Sequence, residues 1–159
     1  MAKLYVLSGL PGSGKSTFCE KYKDKAIHVS RDTIRFSLLK EGEEYFSHEK
    51  EVTKIFWEQI NCLLSQGKDV FADQTSLSLT SRALLLSKIY IPCEKILMQF
   101  QMPVNVCIER NEKRKGTRAY VHPSVIHNMN RSFTEPKDFE GFSKVYVIDE
   151  NFKQKKVIF

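Results

Sequence analysis

The run Gly9-Leu10-Pro11-Gly12-Ser13-Gly14-Lys15-Ser16 constrains this chain more than any other feature. It fits the pattern G-x-x-x-x-G-K-[ST], in which glycines let the backbone curl so that successive N–H groups point inward at an anion. The helix that should start at Lys15 adds its positive end. Lys15 can reach β- and γ-phosphates, the Ser16 hydroxyl can sit on Mg²⁺, and Thr17 falls near the α-phosphate. Gly9, Pro11, Gly12, Ser13 and Gly14 complete the cradle for ATP. The motif also demands a preceding strand, and the apolar run Leu4–Ser8 supplies one.

The rest of the chain alternates the two kinds of element. Strands are predicted at Ala26–Val29, Asp69–Ala72, Lys95–Gln101 and Lys144–Ile148, with an edge strand at Lys155–Phe159. Helices are predicted at Lys15–Tyr22, Asp32–Leu39, Ser47–Ser65, Leu79–Ile91, Pro103–Lys113 and Pro123–Phe133. In Ser47–Ser65 the apolar Val52, Ile55, Phe56, Ile60, Leu63 and Leu64 recur at helical spacing. Strands separated by helices imply βαβ units. The expected fold is therefore α/β, of the P-loop NTPase and kinase type. It has a central five-stranded parallel sheet flanked by helices and a mobile basic lid. Residues 1–159 are read as one domain, with the lid at about 110–120.

Composition excludes several classes. The chain is 42% hydrophobic and 28% charged, which argues against wholesale disorder. Its apolar runs are too short to span a bilayer, so no membrane partner is expected. Cys19, Cys62, Cys93 and Cys107 form no Cys-x-x-Cys pair, against both a zinc ribbon and a disulfide framework; reduced thiols and a cytoplasmic location are expected. Cys19 and Cys62 read as buried apolar fillers. His28, His48, His122 and His127 show no metal-ligand spacing, and His122, before Pro123, reads as a helix cap. The formal net charge of +6 permits a polyanionic ligand without demanding one.

The kind of P-loop protein can be narrowed. No Asn-Lys-x-Asp guanine-reading motif is present. The third strand leads into Asp73-Gln74, a single acid, where a motor ATPase would place an Asp-Glu pair. Asp73 can hold a metal-bound water or orient Ser16, with no neighbouring Glu to activate a hydrolytic water. A kinase needs a base, positive charge for the migrating phosphoryl group, and exclusion of water. Asp32 and Arg35, three residues apart, share one helical face, where one can take a proton and the other hold an anion; the same spacing also fits a plain i,i+3 ion pair. Arg110-Asn111-Glu112-Lys113-Arg114-Lys115-Gly116-Thr117-Arg118 offers the positive charge, with Arg110 and Arg114 on one helical face and Gly116 as hinge.

These residues together resemble the kinase domain of phage polynucleotide 5′-hydroxyl kinase and its wider group of small P-loop kinases. The likeness runs through Gly9–Thr17, the Arg31-Asp32-x-x-Arg35 element, and Asp73-Gln74-Thr75 followed by Arg82. It continues through Pro103, Arg110-Asn111-x-x-Arg114, Gly116-Thr117-Arg118 and Val121–Ile126. Two departures stand out. Lys115 looks inserted between the lid arginine and Gly-Thr, and Val147–Asn151 lacks the second aspartate of a phosphatase motif.

The resemblance implies Mg²⁺–ATP as cofactors and a 5′-hydroxyl end of DNA or RNA as substrate, with kinase but no phosphatase activity. It implies Lys15, Asp32, Arg35 and Arg114 as catalytic residues, Asp32 being the general base. Arg110 and Arg114 would touch ATP. Arg35, Asp73, Thr75 and Arg82 would serve the acceptor side, and Ser16 with Asp73 (through water) the metal. Two alternatives from the same scaffold remain: a kinase for a small-molecule hydroxyl, such as a nucleoside, sugar or antibiotic, and a nucleotide-binding ATPase or switch module.

Overall fold

The computed structural model describes residues 1–159. Six strands form one sheet in the order β2-β3-β1-β4-β5-β6. They are β1 (Lys3–Ser8), β2 (Ile27–Ser30), β3 (Val70–Asp73), β4 (Glu94–Phe100), β5 (Lys144–Ile148) and β6 (Gln154–Lys156). The first five run parallel, as expected, and β1 lies between β3 and β4. The sixth is antiparallel to β5 and pairs Tyr146 with Lys156. Its position corrects the expected Lys155–Phe159. A tight turn, in which the Phe152 N–H donates to the Asp149 carbonyl at 2.9 Å, sends the chain back early.

Helices α1 (Lys15–Lys21), α2 (Arg31–Leu38), α3 (Glu49–Ser65), α4 (Leu79–Lys88), α5 (Val104–Glu112) and α6 (Pro123–Arg131) cover the sheet. α4 stops three residues short of the expected Ile91. Pro92 disfavours helical geometry just before it. Asn61, buried on α3, secures the exit by donating to the Lys88 carbonyl and accepting from the Tyr90 N–H at 2.9 and 3.1 Å. His122 caps α6 as expected, accepting from the Ser124 N–H at 3.1 Å.

The core divides by sheet face. Leu4, Val6, Val70, Ala72 and Leu97 pack with Val52, Phe56, Ile60 and Leu64 of α3. Leu7, Phe71, Ile96 and Met98 pack with Phe18 and Cys19 of α1. A smaller cluster, Leu10, Leu77, Cys107, Val121 and Ile126, supports the phosphate loop from below the lid. Cys19 is a buried filler, but Cys62 is exposed. The inward face of α3 follows the 52–56–60–64 spacing, and position 62 lies on the outer side.

Arg82 requires the largest correction. Its side chain is fully buried, donates to both oxygens of Glu140 at 2.7 and 3.1 Å, and reaches the carbonyls of Leu77 and Thr134. It staples α4 to the segment before β5 and does not line the central cavity. A guanidinium sealed in this way has no donor left to aim at an acceptor.

Candidate active site

The carboxyl ends of β1, β2 and β3 meet at a cavity of about 350 Å³. Crevices at this edge are where open α/β sheets bind ligands. On one side lies the phosphate loop, with Gly12 and Gly14 at φ 83° and 99°, a region open to glycine at no steric cost. A Cβ at Gly12 would also meet the Cys107 carbonyl at 3.0 Å. Lys15 Nζ donates to the carbonyls of Gly9 and Leu10 at 2.7 and 3.1 Å, which parks the cation inside the loop. Burial lowers its pKa, and the charges of Asp73 and Asp32 oppose that shift. Ser13 Oγ is buried without a hydrogen-bond partner.

Asp73, at the end of β3, is nearly buried. Its Oδ2 accepts from Ser16 Oγ at 3.3 Å and lies 2.7 Å from His28 Nε2. The Ser16 and Asp73 oxygens form a hard, all-oxygen pair facing the phosphate cradle, which suits Mg²⁺. The ligand atoms of Cys19, His28 and Asp73 also lie within 4.8 Å of one another. The three come from α1, β2 and β3, so the sheet juxtaposes residues that no linear spacing connects. Burial pushes the Cys19 thiol well up, so it stays protonated, and His28 remains as a hydrogen-bonding neighbour of Asp73.

The opposite wall comes from α2 and α3. Ser30 caps α2 by accepting from the Thr33 N–H at 3.1 Å, placing Asp32 in the first turn at the cavity edge. Asp32 is ion-paired to Arg35 and accepts from the Tyr45 hydroxyl. Both contacts fall on Oδ1. Arg35 is 4% exposed, and its Nε and Nη2 donate to the two Glu49 oxygens at 2.9 and 2.6 Å. Its guanidinium also lies 4.3 Å from the Tyr45 ring centre. Burial and the Asp32 charge raise the Tyr45 pKa, which keeps that hydroxyl a donor.

Arg31 is tied down as well, donating to Gln74 Oε1 at 3.1 Å and to Thr53 Oγ1 at 2.6 Å. Asp32 and Arg35 therefore do form the i,i+3 pair that their spacing allowed, and they do so inside the cavity.

The lid arginines separate. Arg110 donates to the Gly12 carbonyl at 3.0 Å and lines a smaller cavity of about 240 Å³ with Gly14, Thr17 and Phe152. Arg118 donates to the Leu39 carbonyl at 2.8 Å, fastening the lid to the end of α2. Arg114 lines both cavities.

The structure thus gathers Pro11, Gly12, Ser13, Gly14, Lys15, Ser16, Thr17, Asp32, Arg35, Asp73, Thr75 and Arg114 around one space. Arg82 is outside it, and Gly9 supports it through its carbonyl. Sequence reasoning missed Tyr45, Phe46, Glu49 and Gln74. Glu49 reads as an ordinary first-turn acid, and the two aromatics sit in a connection with no periodicity.

Comparisons with known proteins place the fold and the family. A family model described as an AAA domain matches residues 4–136. Transcription factor bHLH140 of Arabidopsis thaliana is 30% identical over 150 residues, which cover 88% of this chain and 15% of that protein. A chain in the structure of the Pnkp1/Rnl/Hen1 RNA repair complex superposes with a TM-score of 0.69 at 26% identity, covering 82% of this chain and 43% of that one. A sugar kinase from Janibacter sp. HTCC2649 gives a TM-score of 0.67 at 17% identity, covering 94% and 86%. The last shows the fold alone. The chain spans less than half the length of the first two proteins. No helix is long and apolar enough to cross a membrane.

Proposed function

The chain belongs to that AAA-domain family of P-loop proteins, and on that premise we propose that it transfers the γ-phosphate of ATP to a 5′-hydroxyl end of DNA or RNA. One observation carries this reading: Asp32 of α2, Lys15 of the phosphate loop and Arg114 of the lid all line one cavity. A base, a phosphate clamp and a cation for the transferring group are the parts a phosphoryl-transfer site needs.

In the proposed reaction the loop amides and Lys15 hold the β- and γ-phosphates. Lys15 exchanges its two carbonyl partners for phosphate oxygens. Ser16 and Asp73 would hold Mg²⁺, directly and through water, and the ion when bound neutralises phosphate charge. Asp32 takes the proton from the acceptor hydroxyl through Oδ2, the oxygen that its neighbours leave clear. The hydroxyl oxygen bonds to the γ-phosphorus, the bond to the bridging oxygen breaks, and ADP leaves. Arg114 offsets charge on the transferring group, and Arg35 and Thr75 face the acceptor. The similarity to a chain of an RNA repair complex supports a nucleic-acid acceptor.

One feature favours a second reading, a small neutral acceptor. The Arg35 fork is filled by Glu49 and Asp32, as suits a site that has no acceptor phosphate to hold.

Transfer of labelled γ-phosphate decides between them, using DNA and RNA oligonucleotides with 5′-hydroxyl ends beside nucleosides and sugars. Label on oligonucleotides, with affinity falling steeply as salt rises, supports the first reading. Label on small molecules alone, insensitive to salt, sinks it. Phosphate release independent of any acceptor would point to an ATPase.

A further inference from the structure

The central cavity is lined mostly by polar side chains, and Tyr45, Phe46, Val121 and Met129 give it an apolar part joined through Tyr45. Val121, Tyr45 and Met129 belong to the cluster beneath the lid, so this part is continuous with packed core. Phe46 is different. It leaves the core and presents its ring, 51% exposed, beside the residues that surround Asp32. The ring is held in place on two sides. Tyr45 packs edge-on at 4.6 Å between centroids, and the Arg35 guanidinium lies 5.6 Å from its centre.

About half of this phenyl ring stays in water beside Arg35, so its packing on Tyr45 leaves apolar surface uncovered at the cavity. That surface suits a ligand that is polar at one end and flat and apolar at the other. A polyol can lay only a narrow C–H face on such a ring, with hydroxyls at its rim, and so covers less of it than a planar group does. A nucleoside end has the matching division, with a hydroxyl-bearing sugar and a planar base. Stacking also tolerates any base, because each has a π-face.

We propose that Phe46 is a stacking platform for the 5′-terminal base of the acceptor, set by Tyr45 and Arg35 at the apolar part of the cavity. This rests on the nucleic-acid reading above. In that role Phe46 recognises the base while Asp32 meets the hydroxyl of the sugar. The site then distinguishes a nucleoside end from a sugar without reading sequence.

The test uses two oligonucleotides with 5′-hydroxyl ends, identical except that one lacks the 5′-terminal base. Wild-type protein should phosphorylate the base-bearing end with kcat/KM about tenfold higher, the lower part of the range for one stacked base. Phe46→Ala should erase that preference by slowing the base-bearing substrate alone. Phe46→Trp should restore it, and the KM for ATP should not move. Equal losses on both substrates, or no loss, overturn the platform and leave the kinase reading standing. Phe46→Leu, apolar but not planar, separates stacking from mere burial: a preference that survives it also overturns the proposal. Label on sugars with none on either oligonucleotide would overturn the nucleic-acid reading itself, and the platform with it.

Discussion

The two walls of the central cavity are built on different principles. The phosphate-loop wall is mainly backbone: amides curled by Gly12 and Gly14, a helix end, and one lysine folded back onto the loop's own carbonyls. The α2–α3 wall is a side-chain lattice, in which Arg31, Asp32, Arg35, Tyr45 and Glu49 satisfy one another. Backbone amides accept any phosphate, so the first wall fits many nucleotide enzymes. A lattice of side chains is specific to its sequence and can be retuned one residue at a time. Generality therefore sits with the nucleotide and specificity with the acceptor.

Four substitutions would break or sharpen that contrast. Lys15→Ala strikes the general wall and should reduce phosphoryl transfer to every acceptor by about 10³-fold or more, comparable to losing another transition-state cation. Single-turnover label transfer measures it, and a variant within tenfold of wild type would contradict the role.

Asp32→Asn strikes the specific wall. Turnover should fall by about 10²–10⁴-fold, the range for a general base, with ATP affinity nearly unchanged. Titration calorimetry with ATP beside turnover assays tests this, since an equal loss in both would show that Asp32 is no base.

Arg82→Ala belongs to neither wall. It leaves Glu140 buried without its partner, at a cost of about 3–5 kcal/mol in stability. Denaturant unfolding should show the loss, while acceptor KM at a permissive temperature stays put. A shifted KM with normal stability would return Arg82 to the site.

Arg35→Lys should have the smallest effect. It keeps the charge and loses the two-pronged grip on Glu49, so acceptor KM should rise about tenfold while ATP KM holds. If ATP KM rises with it, the two walls are not separable.

Much of this was legible beforehand, for identifiable reasons. β1, α1 and the loop between them follow from local rules, since glycines permit the turn and the apolar run makes the strand. β5 was placed at Lys144–Ile148 to the residue, because its apolar content is bounded on both sides. The end of α4 was not, because Asn61 from another helix and Pro92 set it jointly. The resemblance assigns Arg82 to the acceptor side, and only the Glu140 carboxylate, 58 residues away, reveals why it is buried elsewhere.

The phosphate loop, the parallel sheet around it and the placing of Lys15, Ser16, Asp32 and Asp73 at the strand ends can be read from the amino-acid string. These depend on backbone conformation and short-range spacing, which a linear string records. Folding in three dimensions brings His28 against Asp73, sets Glu49 and Tyr45 around Arg35 beside Asp32, and puts Arg114 at the cavity while Arg110 and Arg118 fasten the lid. The physical reason is reach. Side-chain hydrogen bonds act over about 3 Å in space, and these join residues from different strands and helices whose separation along the chain carries no trace of the contact.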